Sequence, residues 1–436
     1  MKYVTYMIIM IYMIYFDLKA FREIKKTNFF YFSYSKSIEI QSFKINELTS
    51  KYEFKNHYIS YEIKLKKGET KKIHIIYKAK AKNTSLTKSQ KEKNIIYREE
   101  YYGLDSSLAG LTAKFSLIIK GSYDIVNFEP FFLIRNTNNL NDVEYMWGGV
   151  VPDQGKESII MLSKKEALWS FTNKENFSSN YTISGTIFSV PIRFLGGNNE
   201  IIDINPHSPQ THIIKLNEEE RRYVAVYNNS QYKKGEIIIE GKLINKCKNE
   251  WQVDLTDEEV ISRIPNEDKA NKEQLKAIAK QIIKEFDEEH KDNDFEFLDF
   301  QKIGLWVYKN IKYDINLSGH REYFGLDIYK MRRGVCYHFT MLSNALLYSL
   351  GYKVIYVTGT VIKRGLISNL SLLHAWSLIK INNKWYPFDS TWGILTGRLP
   401  VGHVFRNFGN PVEKFDRYNG STSYGERSVE LKFIET

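Results

Sequence analysis

The sequence predicts a multidomain chain, an N-terminal all-β, sandwich-like region followed by an α+β domain. Three observations predict this. At 436 residues the chain is longer than one hydrophobic core usually serves. As far as residue 253 it reads as many short alternating strands with turn residues between them. From residue 254 helical periodicity takes over, and strand patterns return only after residue 350. The expected segments are 1–20, 21–135 and 136–253 (two β-rich domains), and 254–436 (the α+β domain).

The first segment begins Met1-Lys2 and then runs uncharged and almost wholly apolar over 3–16, ended by Asp17 and Lys19. That length fits the apolar core of a signal peptide and falls short of a membrane-spanning helix. Leu18-Lys19-Ala20 is a poor cleavage site, so an uncleaved anchor or a misplaced start codon are the alternatives. The reading favours secretion, an endomembrane lumen or membrane anchoring. The seven Asn-x-Ser/Thr sites do not decide it, because an Asn-rich chain makes several by chance.

In the β-rich part, 58–65 and 70–77 read as a hairpin turning at Gly68. Strands are expected at 112–119, near Phe131, and at 157–162, 167–171, 181–194, 212–216, 223–227 and 236–244, with Met146-Trp147-Gly148-Gly149 as a breaker. The net charge of +11 gathers here, since residues 17–120 hold 22 Lys+Arg against 11 Asp+Glu. Such an excess suits contact with an anionic membrane or polymer, or simply a solvated face. Nucleic acid is not expected as a partner, because the lysines are scattered without recognition-motif spacing.

The α+β part opens with a Thr256 helix cap, a helix over 272–286, a polar break at 290–294 and a helix over 298–312. A further helix runs over 335–350, its apolar residues Phe339, Leu342, Leu346, Leu347 and Leu350 forming one stripe before Gly351 stops it. Residues 394–436, rich in Gly and Pro, read as an irregular tail.

Cys336 stands in the first turn of that helix, where unpaired N–H groups and the helix dipole favour a thiolate. Alone, such a cysteine is more often a small buried hydrophobe. Residues 373–381 and 384–388 are strand-like, and Asn382-Asn383 between them reads as a two-residue hairpin turn. That register pairs Ile381 with Lys384, Trp376 with Asp389 and His374 with Thr391, which makes His374 and Asp389 same-face diagonal neighbours. Asp389 can then hold one imidazole nitrogen of His374 and leave the other for a thiol.

These residues resemble the transglutaminase-like superfamily, the rearranged relatives of papain-type thiol enzymes. The match lies in Arg333-Gly334-Val335-Cys336 with its helix, Gly351-Tyr352-Lys353-Val354, Gly359, His374-Ala375-Trp376 and the run 385–393, with 306–314 resembling the leading helix. The resemblance implies Cys336 as nucleophile, His374 as general base and acid, and Asp389 as the orienting residue, acting on a protein or peptide substrate. Departures exist. Tyr337 follows the cysteine where animal transglutaminases carry Trp, and two cysteines in all cannot build the paired Cys-x-x-Cys zinc site of eukaryotic peptide:N-glycanases.

A second oxyanion donor is not identifiable by motif. Trp306 is a candidate but reads better as core, His338 reads as structural or rim, and His320 and His403 fall in polar loops where they could line the cleft, though nothing in their spacing demands it. No cofactor and no metal site are expected. The expected function is thiol-dependent acyl transfer on peptide or side-chain amides. Hydrolysis is favoured because nothing resembles the calcium-binding context of transglutaminases. The alternatives are cross-linking and a non-catalytic scaffold of the same fold.

Overall fold

The computed structural model describes residues 197–206, 234–289, 297–361 and 372–409, with the strands and a few adjoining residues between 9 and 179 and the strands at 211–217, 222–227 and 422–433. The predicted strand at 181–194 and the polar break at 290–294 lie outside the described residues. The chain divides into two compact units, 1–165 with 284–298, and 166–283 with 299–436.

Apart from residues 284–289, the end of a helix, the first unit is described by its strands. A seven-stranded sheet runs in the order Leu133–Asn136, Val143–Val150, Thr112–Lys120, Ile9–Lys19, Thr70–Ala81, Lys36–Ile45 and Leu48–Thr49. A six-stranded sheet contains Tyr123–Glu129, Lys156–Lys164 and Tyr97–Leu104 at one end. Residues 9–16 of the apolar leader-like run therefore belong to a strand paired on both sides, with Thr112–Lys120 and Thr70–Ala81. A near-continuous apolar run serves a central strand as well as it serves a leader, so composition does not separate the two.

Two local expectations are corrected. Thr70–Ala81 does not form a hairpin with the preceding strand, because Ile63–Leu65 pairs instead with Ile24–Lys26. Alternation marks a strand but not its partner. The glycines expected to break structure lie inside a strand, Gly148 opposite Lys114 and Gly149 opposite Ala113. The boundary drawn at 135/136 also falls inside a strand, Leu133–Asn136.

In the second unit, Asn199–Pro206, Lys234–Lys246, Glu166–Ser179 and Thr422–Phe433 make an antiparallel sheet in that order. The tail expected to be irregular thus contributes one strand here, and a second, His403–Phe408, to the next sheet. That next sheet runs Lys384–Phe388, Leu372–Ile381, Val354–Val361, His403–Phe408, all antiparallel. Helices precede it: Asp257–Ser262, Asn266–Ala270, Lys272–Glu289, Asp299–Asn310 and Gly325–Met331, then Cys336–Ser349. Thr256 caps the first through a reciprocal box. Glu259 N donates to Thr256 Oγ1 at 3.2 Å, and Thr256 N donates to Glu259 Oε2 at 2.7 Å.

The segment that leaves the first of these sheets enters the core of the second. Trp251, in the segment leaving Lys234–Lys246, is buried among Ile355, Val357, Trp376, Trp385 and Phe405, and its N–H donates to Trp385 O at 2.9 Å. Residues 166–283 and 299–436 accordingly form one compact unit. The Cys336–Ser349 helix is buried all round rather than along one stripe, every residue from Tyr337 to Leu347 lying inside. A helix apolar on all sides is a central helix. Gly351 ends it at φ +102°, a left-handed cap. Among the described residues, no helix is long and apolar enough to cross a membrane.

Candidate active site

Cys336 is the first residue of its helix, and Val335 before it is extended. The approach is fixed by a short parallel pairing of Arg333–Gly334 with Lys312–Tyr313 and by Asp314 N donating to Gly334 O at 2.9 Å. Gly334 must lack a side chain, because a Cβ there would stand 2.3 Å from His338 Cβ. His338 in turn accepts the Val335 N–H on Nδ1 at 3.1 Å. It is fully buried, not on the rim, and burial pushes its pKa down to about 4, so it stays neutral.

His374 lies in the central part of the sheet, opposite Gly359. The two-residue turn forms as read, with Asn382 at φ 49° and Asn383 at φ 62°. The ladder keeps the expected register through Ser377 and Phe388 and stops one pair short of Trp376 and Asp389. Asp389 turns away to bridge Ile394, each backbone N–H donating to the other's carbonyl at 2.9 Å. The turn still delivers its carboxylate to the ring, and His374 Nε2 lies 2.7 Å from Asp389 Oδ2.

All four hydrogen bonds to that carboxylate are defined. Oδ1 accepts from Thr391 N at 2.8 Å and Trp392 N at 3.3 Å. Oδ2 accepts from His374 Nε2 and from His403 Nε2, the latter at 3.1 Å. An ionised carboxylate only accepts, so both imidazoles carry a proton on Nε2. His374 Nδ1 is then the nitrogen left for Cys336, with which the ring hydrogen-bonds. Trp392 stacks on His374 with centroids 4.7 Å apart.

The electrostatics follow from this packing. Burial pushes the Cys336 thiol up, but the hydrogen bond and charge of His374 and the Ala375 N–H together hold it below its ordinary value. Burial works against charge on His374, yet the Asp389 carboxylate beside it and the contact with Cys336 raise its pKa well above the usual imidazole range. Asp389 is opposed by burial and held well below the usual carboxylate range by His374 first and His403 second. Burial, with the charge on His374, keeps His403 low despite its bond to Asp389. The packing thus favours charge on each of the three groups, lowering the thiol, raising the imidazole and lowering the carboxyl.

His374, Asp389 and His403 also satisfy a loose geometric condition for holding a metal ion. The 2.7 Å contact between His374 and Asp389 is hydrogen-bond spacing, shorter than the roughly 3.3 Å between two ligands of a tetrahedral zinc.

Of the residues singled out in the sequence, Cys336, His374 and Asp389 come together. Trp306 is not core, because its ring is half-buried, stacked on Tyr329 and covered by Arg332. His320 is exposed and paired with Glu322 at 2.7 Å. His403, expected in a polar loop, instead opens a strand and lies 3.1 Å from Asp389. It sits in a stretch rich in Gly and Pro, and only the pairing of Val361 with His403 puts it beside the triad. Tyr313 was not singled out. Its ring is exposed and lies 6.2 Å from that of Phe339, one turn along the cysteine helix, and partial burial, joined by the charges on Cys336 and Asp389, raises its pKa.

Residues 291–390 match the model of the transglutaminase-like superfamily. The C-terminal part of the chain is therefore a transglutaminase-like domain of mixed α and β content. Three solved structures are similar to the chain. One is a candidate cysteine protease of Cytophaga hutchinsonii, 19% identical, matched over 62% of this chain and 92% of that one with a TM-score of 0.39. Another is a TGase, 12% identical over 43% of this chain and 44% of that one, with a TM-score of 0.21. The third is a candidate protease of Parabacteroides distasonis, 8% identical over 66% and 63% of the respective chains, with a TM-score of 0.23. Likeness at this level says nothing about substrate or chemistry. No curated protein matches the chain.

Proposed function

We propose that the chain is a thiol-dependent acyl-transfer enzyme acting on peptide or side-chain amides, with water as the usual acceptor. The observation that carries this reading is the row Cys336, His374, Asp389, with His374 Nε2 committed to Asp389 at 2.7 Å and Nδ1 left to the thiol. The Cys336 thiolate attacks the amide carbonyl and forms a C–S bond. The charge on the resulting oxyanion is met by the unpaired Cys336 N–H in the first helical turn. The His374 imidazolium gives its proton to the leaving nitrogen, the C–N bond breaks and an amine departs. Neutral His374 then takes a proton from water, hydroxide adds to the thioester, and collapse releases the acid and restores thiolate and imidazolium.

Cys336 is half-buried rather than enclosed, which supports a substrate that reaches it from outside, such as a protein or peptide. The basic excess over 17–120 supports contact of the N-terminal region with an anionic surface.

The test is turnover of a peptide-amide library, with and without a primary amine, by wild type and Cys336→Ala. Release of amine in wild type and its loss in the variant is the expected result. Amine incorporation in preference to hydrolysis would reassign the acceptor, and undiminished turnover by Cys336→Ala would overturn the reading.

A further inference from the structure

Among the described residues, His403 touches Asp389 and has no part in the chemistry proposed above. Its position is strongly determined. It opens the strand His403–Phe408, and its backbone N donates to Pro400 O at 2.8 Å. Its carbonyl accepts from two buried side chains of the neighbouring sheet, Asn198 Nδ2 at 3.0 Å and Asn245 Nδ2 at 3.2 Å. The ring is 0% exposed and lies edge-on to Trp376, Trp392 and His374, at 5.3, 5.1 and 5.8 Å between centroids. Nε2 lies 3.1 Å from Asp389 Oδ2, and the buried Nδ1 has no partner.

A bare Nδ1 with a donating Nε2 is the neutral tautomer. A second imidazolium here would face His374 across the same oxygen, without solvent to screen it. Burial and the charge on His374 act in the same direction.

We propose that His403 is a positioning residue, a neutral Nε2–H donor that draws on Asp389 Oδ2 and so sets how tightly Asp389 holds the proton on His374. The proposal deepens the acyl-transfer reading and rests on it. Orientation of the carboxylate does not need His403, because Thr391 N and Trp392 N already hold Oδ1. What His403 changes is the electron density that Oδ2 offers. Each donor to a carboxylate stabilises its charge and weakens it as a partner for the next donor. Without His403, Oδ2 serves His374 alone. The imidazolium then persists to higher pH and gives up its proton to a leaving nitrogen less readily. The other titratable groups whose charges reach this set are Cys336 from its helix and Tyr313 from the short parallel strand.

The experiment is the pH profile of Cys336 alkylation by iodoacetamide, read at that residue by peptide mass spectrometry, in wild type, His403→Phe and His403→Gln. Glutamine carries its amide nitrogen at nearly the reach of Nε2 and keeps the donor. The expected result is that the upper limb, where the imidazolium is lost, moves up by about 1 pH unit in His403→Phe and returns toward wild type in His403→Gln. A His403→Phe profile that superimposes on wild type or moves down overturns the proposal, as does a glutamine variant that shifts as far as phenylalanine.

Should the phenylalanine variant fail to fold, ¹⁵N-histidine NMR of the unaltered protein decides. A neutral His403 protonated on Nε2 across the range where His374 is charged supports the proposal, and a cationic or Nδ1–H ring overturns it. A wild-type thiol that labels only near an ordinary thiol pKa sinks the acyl-transfer reading and this inference with it. A shifted wild-type profile that His403→Phe leaves in place sinks only the role of His403.

Discussion

The hydroxyl of Ser343 donates to the hydroxyl of Ser390 at 2.8 Å, across the gap between the helix that carries Cys336 and the turn that carries Asp389. Ser390 passes its own proton on to Phe339 O at 3.3 Å, one turn from the cysteine. Both serines are buried. This two-step relay is a polar tie between the helix and the turn, separate from the one that runs through His374.

Replacing Ser390 with alanine breaks both steps and leaves the Ser343 hydroxyl without an acceptor. Loss of a buried hydrogen bond costs about 1 kcal/mol, and more when a polar group is stranded. Ser390→Ala is expected to destabilise by about 1–3 kcal/mol in urea unfolding and to slow Cys336 alkylation several-fold at pH 6. Ser343→Ala removes only the first step and should do less. Equal alkylation rates in all three proteins would show that the relay holds the fold without setting the site.

The carboxylate makes a sharper prediction. Asp389 is what keeps the buried His374 charged. In Asp389→Asn the charge is gone while the two backbone donors can still be met, so burial dominates and His374 becomes neutral at pH 7. The thiol then loses its cationic partner and its pKa rises toward the ordinary value. Wild type should alkylate readily at pH 6, because its thiol is held low, and the variant at least about 10-fold more slowly, the gap closing above pH 9. A constant ratio across pH would mean that Asp389 affects access rather than charge.

Much of this site was legible because its parts are local in sequence. Gly334, Cys336 and the apolar run to Leu350 announce a helix and its first turn, and Gly351 its end. Asn382-Asn383 announces a hairpin whose register alone brings residue 374 toward residue 389. What was not legible is non-local. His403 reaches Asp389 only because His403–Phe408 pairs with Val354–Val361, and no periodicity reports which strand a strand will choose. The same limit explains the misplaced hairpin at 58–77 and the apolar run at 9–16, which reads equally as leader or as paired strand.

The hairpin turn itself can be tested through its backbone. Asn383 sits at φ 62°, in the left-handed region. Alanine there costs about 1 kcal/mol, whereas glycine should be neutral or better, since it carries no Cβ. Because the turn sets the register that delivers Asp389 to His374, Asn383→Ala should lower the unfolding midpoint and Asn383→Gly should not. Thermal unfolding of the two variants side by side gives the answer, and an alanine variant as stable as the glycine one would mean that the strands fix the register without the turn.

The last prediction concerns a carboxylate away from the site. Asp268 is 2% exposed and accepts the Gly325 N–H on Oδ1 at 2.9 Å, at the start of the Gly325–Met331 helix. Burial raises its pKa from 3.8 to about 7, helped by Glu267 and Asp327 and opposed by the Gly325 N–H. For an acid raised by folding, the native state binds the proton more tightly than the unfolded chain does. Stability from this group is complete below the unfolded pKa near 4 and is lost as pH rises toward 7. Asp268→Asn removes that loss while keeping an oxygen for Gly325. The variant should match wild type near pH 4 and exceed it near pH 7, by up to about 4 kcal/mol if the full shift is expressed. Urea unfolding of both proteins from pH 4 to 8 isolates the effect, since every other titrating group is common to the pair. If wild type were the more stable at pH 7, the ionised carboxylate would be holding the helix start through Gly325 strongly enough to outweigh its burial.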